Sequence, residues 1–250
     1  MGEPIIQTRG LTINFGGQTA VDHVTLDIMP KTFTSIIGPN GAGKTTFFNL
    51  ISGLLNPSEG NVILKGQDIT AMPSEARVKL GMGRCFQITN VFPQLTALEN
   101  VRLAVQAKSG VNSIFKHYLK YSELQDKAME MLKKVNLSDK ANSLALNLAH
   151  GDKRKLEIAI VLALEPEVLL LDEPTAGMSL EEVPIILDLL AKIKKEGQHT
   201  IMLVEHKIDM VLSLSDEIVV LFNGGLLEKG NPEDIMKNEQ VQKAYLGGMS

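Results

Sequence analysis

Residues 38–45 read Gly-Pro-Asn-Gly-Ala-Gly-Lys-Thr, and their types and spacing suit the holding of a chain of phosphates. Glycine at Gly38, Gly41 and Gly43 lets the backbone wrap an anion with its N–H groups pointing inward, where side chains would obstruct it. Pro39, Asn40 and Ala42 fill the positions between them. Lys44 then supplies a cation for the β- and γ-phosphates and Thr45 a hydroxyl for Mg²⁺. Thr46 carries the chain into a helix whose positive end faces the same anion. An apolar run at 33–37 precedes the loop and a helical pattern follows it, which is the context this motif requires. The pattern predicts nucleotide binding.

A second chemical pair closes another apolar run, Val168-Leu-Leu-Leu-Asp172-Glu173. At the tip of a buried strand, Asp172 suits water-mediated retention of Mg²⁺. Glu173, one residue further, is placed to orient or deprotonate a water attacking the terminal phosphate.

These loops need strands to carry them. Residues 5–14 and 24–28 read as strands separated by a turn at Gly16-Gly17, and 33–37 as a strand running into the glycine-rich loop. A helix over 44–52 ends at Gly53. A short strand at 61–64, a helix opened by Pro73 and a segment ending at Cys85-Phe86-Gln87 follow. From 96 to 135 the period turns helical, with a looser polar linker at 108–113, and another helix runs from Gly151 to about Ala163. Phe115, His117 and Tyr118 are expected to pack this helical stretch. Residues 168–171, 200–204 and 217–222 are apolar enough to be strands of a parallel sheet buried on both faces. The organisation is an α/β core interrupted by a mostly helical insertion.

Composition narrows the classes. The chain has 250 residues, 44% of them hydrophobic, enough for a sizeable core. A net charge of −4 argues against binding a nucleic-acid backbone, which needs a basic face. Cys85 is the single cysteine, so an internal disulfide is impossible and a reducing compartment is natural. The opening residues lack the layout of a signal peptide, and no apolar run reaches the ~18–20 residues that span a bilayer. A soluble, internal protein is expected, reaching a membrane only through a partner.

The two motifs, their separation and the segment between them resemble the ATP-binding subunits of ABC transporters over nearly the whole chain. The resemblance implies a P-loop NTPase (RecA-like) core, 1–87 and 158–250, with an antiparallel β subdomain and a helical subdomain at 88–157. It gives Gln87 a role at the Mg²⁺ and the attacking water, and makes His206, in Leu203-Val-Glu-His206, the switch histidine at the γ-phosphate. Phe15 matches the aromatic that stacks on adenine, and Pro174-Thr-Ala-Gly-Met178 the loop that follows the catalytic carboxylate. ATP and Mg²⁺ are the implied cofactors. The implied partners are a second ATPase subunit, alike or different, a membrane permease and, indirectly, a solute-binding protein. The expected place is cytoplasmic, peripheral on the inner face of the cell membrane. Within the superfamily, Phe15-Gly-Gly-Gln-Thr-Ala-Val-Asp22, Phe86-Gln-Ile-Thr-Asn-Val-Phe92, Leu156-Glu-Ile-Ala159 and Ala244-Tyr-Leu-Gly247 resemble the branched-chain amino acid uptake ATPases, the larger of their two paired types. Urea and amide importers share this pattern. Lipid or lipopolysaccharide export ATPases and a non-transport ABC regulator are the alternatives.

The chain departs from the family at the signature, usually Leu-Ser-Gly-Gly-Gln, which here reads Leu148-Ala149-His150-Gly151-Asp152. That segment serves the nucleotide of the opposite subunit, so Ala149 withdraws a hydroxyl and Asp152 adds a negative charge where a phosphate approaches. Lys153, Arg154 and Lys155 follow and either offset that charge or form a solvated helix face.

Overall fold

The turn at Gly16-Gly17 starts the fold. Both glycines have positive φ (53° and 92°), the geometry of a two-residue hairpin turn, and they join β1 (Ile6–Phe15) to β2 (Gln18–Ile28) with Ile6 opposite Ile28. The second strand begins six residues earlier than the expected start at 24: its first half is mostly exposed and polar, so hydrogen bonding to β1 rather than burial makes it a strand. β4 (Glu59–Leu64) and the short β5 (Gln67–Asp68) complete an antiparallel sheet in the order β2-β1-β4-β5. The computed structural model describes residues 2–85, 91–110 and 114–247, with only the backbone course for 114–120 and 245–247. Phe115, His117 and Tyr118 therefore lie outside the described side chains.

A second sheet forms the centre. β3 (Phe33–Ile37), β6 (Met82–Cys85), β7 (Val168–Asp172), β8 (Thr200–Val204) and β9 (Glu217–Phe222) run parallel, and β10 (Gly225–Gly230) adds an antiparallel edge, in the order β10-β9-β3-β8-β7-β6. Every residue of β3, β7 and β8 is buried, the polar Thr34, Ser35 and Thr200 included, as mostly apolar strands are in a parallel sheet covered on both faces. β10, with exposed and half-buried residues, carries no apolar run to betray it in the sequence.

Helix α1 (Lys44–Ser52) sits between the two sheets: Phe47, Phe48, Leu50 and Ile51 are fully buried against Leu11, Val24 and Val62 on one side and Ile36, Leu170 and Val204 on the other. Its far end is held by Arg77 of α2 (Ser74–Lys79). That guanidinium, itself buried, donates to the carbonyls of Leu50, Ile51, Thr70 and Met72 at 2.6–2.9 Å, and burial pulls its pKa down to about 10.

The helical insertion consists of α3 (Ala97–Ser109), α4 (Ile114–Lys134) and α5 (His150–Leu162). Its core is continuous with the lower face of the sheet through Leu156, Ile158, Leu169, Leu171 and Leu189, the last from α6 (Val183–Glu196). Helices α7 (Ile208–Leu214), α8 (Pro232–Lys237) and α9 (Glu239–Gly247) complete the chain. Among the described residues no helix is long and apolar enough to cross a membrane.

Candidate nucleotide site

The loop between β3 and α1 needs its glycines for two different reasons. A Cβ on Gly38 would lie 2.2 Å from the backbone oxygen of Leu221, and one on Gly43 2.3 Å from that of Ala20, so close packing excludes side chains there. Gly41 faces open space but has φ +80°, a conformation only glycine adopts without strain. No side chain caps the start of α1 and no acid stands in its first turn, so its positive end is left to an external anion. Lys44 is buried and donates to the carbonyls of Gly38 (2.8 Å) and Pro39 (2.9 Å). Burial lowers its pKa, while the carboxylates of Glu173 and Asp172 act the other way.

Residues Asn40 to Thr46 line a cavity of about 260 Å³ together with Ala20, Glu173 and His206. Parallel strands β7 and β8 end side by side, and this register sets the acid beside the histidine: Glu173 N donates to Val204 O at 2.9 Å, and His206 follows two residues later. The His206 Nε2 donates to Glu173 Oε1 at 2.9 Å. Glu173 holds φ +45°, an uncommon backbone for a non-glycine residue, which turns its side chain off the strand line. Asp172 lies beneath, 1% exposed, its Oδ2 accepting from Arg84 Nη2 at 2.8 Å and its Oδ1 making no hydrogen bond. Burial raises its pKa and Arg84 opposes that rise.

The phosphate loop, Glu173 and His206 thus share one cavity, and Asp172 is buried next to Glu173 in the chain, outside the lining of that cavity. The family model described as "ABC transporter" matches residues 21–176. The chain belongs to the ABC transporter family. It is 39% identical to the high-affinity branched-chain amino acid transport ATP-binding protein LivG of Escherichia coli over 99% of each chain, and 40% identical to BraF of Pseudomonas aeruginosa over the same shares. Among solved structures it is similar to the ADP conformation of the cassette MJ1267 (TM-score 0.84, 28% identity, 98% of this chain and 100% of that one). It is also similar to the dimeric, post-hydrolysis cassette MJ0796 bound to ADP and Pi (0.78, 30%, 91% and 98%). The P-loop NTPase fold and an ATP-binding ATPase activity follow from this membership.

The cassette distributes the other expected residues unevenly. Phe15 ends β1, 48% exposed, on the sheet whose Ala20 lines the cavity. Gln87 lies outside the described residues. None of Leu148, Ala149, His150, Gly151 and Asp152 lines the phosphate cavity. Leu148 is buried, and Ala149 occupies the N-cap of α5, where it offers no side-chain acceptor. The deficit is met from the same chain: Gly151 N donates to Glu182 Oε1 at 3.1 Å, while Glu182 Oε2 accepts from Ser179 N at 3.1 Å.

The charge of Asp152 is neutralised locally. Lys140 pairs with one carboxylate oxygen and Lys155 with the other at 3.1 Å; burial works to raise its pKa, yet the two lysines hold it below the usual range. Of the basic run after it, Lys155 therefore does offset Asp152. Arg154 is neither a solvated face nor a phosphate ligand: it is buried, pairs with Glu157, and donates to the carbonyls of Asp172 (3.0 Å) and Pro174 (3.1 Å), joining α5 to the end of β7.

Sequence reasoning passed over Glu205. Its buried carboxylate accepts from the hydroxyl and amide of Thr175 on one oxygen and from the amides of His206 (2.7 Å) and Lys207 (3.3 Å) on the other. The signal was its place one residue before His206.

Proposed function

We propose that this cassette is the energising subunit of an importer for branched-chain or chemically similar amino acids, working as one half of a homo- or heterodimer beneath a membrane permease. The single observation that carries the catalytic part is the Glu173–His206 pair facing the phosphate loop across one cavity. The 39–40% identity to branched-chain amino acid transport ATP-binding proteins supports the solute class, and the dimeric MJ0796 cassette supports the association.

ATP seats its adenine on Phe15 and its phosphates on residues 38–46, where Lys44 exchanges its two carbonyl partners for phosphate oxygens. Thr45 and the hydrogen-bond-free Oδ1 of Asp172 fit a magnesium ion, with Gln87 as a further contact; the ion neutralises phosphate charge when bound. Glu173 accepts a proton from water as the water oxygen attacks the γ-phosphorus in line; the bond to the bridging oxygen breaks, and ADP and phosphate leave. On ATP binding the Nε2–H of His206 passes from Glu173, which it holds in the free protein, to a γ-phosphate oxygen. The signature of a second subunit closes the site, and residues 88–157, as a helical subdomain, pass the closure to a permease that a solute-binding protein supplies. In this reading the cassette works on the cytoplasmic face of a membrane.

The test is Mg²⁺-dependent ATP hydrolysis against protein concentration, beside Glu173→Gln. Glutamine keeps an oxygen for His206 but is no base, so ATP binding should persist while the rate falls about 10²–10⁴-fold. Wild-type turnover in the variant would sink the assignment. A rate rising with the square of concentration identifies a competent homodimer, whereas binding without turnover identifies an obligate partner.

A further inference from the structure

Asp172 is asymmetric in a way its motif does not explain. One oxygen is held by Arg84 and the other has no hydrogen bond, although the side chain is only 2% exposed. A buried carboxylate oxygen without a donor is unfavourable unless a cation or water completes it. Arg84 stands on β6, opposite Leu170 of β7, and its side chain crosses to helix α1. There Nη1 donates to Ser52 Oγ at 2.5 Å, and the guanidinium lies 5.9 Å from the Phe48 ring centroid. One planar group thus grips the strand that ends in Asp172-Glu173 and the helix that begins with Lys44-Thr45.

We propose that Arg84 is a positioning residue for the metal–nucleotide complex, presenting Oδ1 of Asp172 to the ion and holding that oxygen in register with the phosphate-loop helix. The inference rests on the reading of Asp172 as the metal-facing acid. The planar fork explains the residue type, because arginine fixes two separated acceptors from one rigid plane, whereas a lysine ammonium is a compact charge on a flexible stem that does not set their relative geometry.

The experiment uses the full chain with a fluorescent ATP analogue, titrated with Mg²⁺ and separately in EDTA. Loss of an outer partner of a metal ligand costs about 10–100-fold in metal affinity, so Arg84→Lys should raise half-saturating Mg²⁺ by that factor and leave EDTA affinity within about twofold. An unchanged Mg²⁺ requirement, or an equal loss with and without Mg²⁺, overturns the proposal. Ser52→Ala removes one prong without touching the ion pair and serves if Arg84→Lys does not fold. It should raise the requirement about two- to tenfold, the worth of one hydrogen bond, and no shift also overturns the proposal. Asp172→Asn separates the two claims. If it leaves the Mg²⁺ requirement unchanged, the metal-facing reading of Asp172 is wrong; if it shifts the requirement while Arg84→Lys does not, only the positioning role fails.

Discussion

Replacing Glu205 by glutamine changes one atom and should still damage both stability and turnover. Each carboxylate oxygen accepts from two donors: Thr175 Oγ1 and N on Oε1, His206 N and Lys207 N on Oε2. A glutamine, whichever way it is turned, sets its NH₂ group against two of those donors. Hydrogen bonds to a charged group contribute roughly 1.5–3 kcal/mol each, so the two lost amount to about 3–6 kcal/mol. Relief from burying a charge returns part of this, leaving about 2–4 kcal/mol. For a chain of 250 residues that lowers the melting temperature by about 4–16 °C. Thr175 lies in the loop after Glu173 and His206 follows Glu205 directly, so repulsion at this node displaces the pair facing the phosphate cavity. Calorimetric melting read beside ATPase rate at a temperature where the variant is folded tests both parts. A Glu205→Gln chain that melts and turns over like wild type would refute the reasoning.

Three further outcomes are expected. Asp152→Gln frees Lys140 and Lys155 near the start of α5, so ATP-driven association in a heterodimer should tighten about two- to fivefold, the worth of one charge at a helix end, and its ATPase rate should rise; sedimentation with and without ATP reads the first, and no change in either quantity refutes it. Gly38→Ala drives a Cβ to 2.2 Å from the Leu221 oxygen, a backbone atom of β9, so it should destabilise by about 1–3 kcal/mol and weaken nucleotide binding. Wild-type affinity in that variant, read by equilibrium titration, would contradict the packing argument. Arg77→Met strips its donors from four carbonyls and should cost about 3–5 kcal/mol, seen as a shifted urea midpoint; a loss under 1 kcal/mol would show that water replaces the guanidinium.

The sequence by itself determined the parts whose physics is local. The phosphate loop is legible because glycines, lysine and threonine at fixed offsets specify backbone path and ligand chemistry within eight consecutive residues. The strands 33–37, 200–204 and 217–222 are legible because a parallel strand buried on both faces is mostly apolar, and the helix 44–52 because a glycine ends it. The first half of β2 and the edge strand β10 were not, since pairing rather than apolar pattern creates them.

Only the tertiary structure decided how charges pair. Arg84 meets Asp172 across 88 positions, Glu205 meets Thr175 across 30, and Glu182 caps Gly151 across 31. Arg154 sits in a basic run that reads as a solvated face yet is buried, whereas Lys155 beside it neutralises Asp152. A charged residue's sequence neighbourhood says that it must be solvated or paired; which of the two, and by what partner, depends on strand order and helix packing, which bring distant segments to the same buried place.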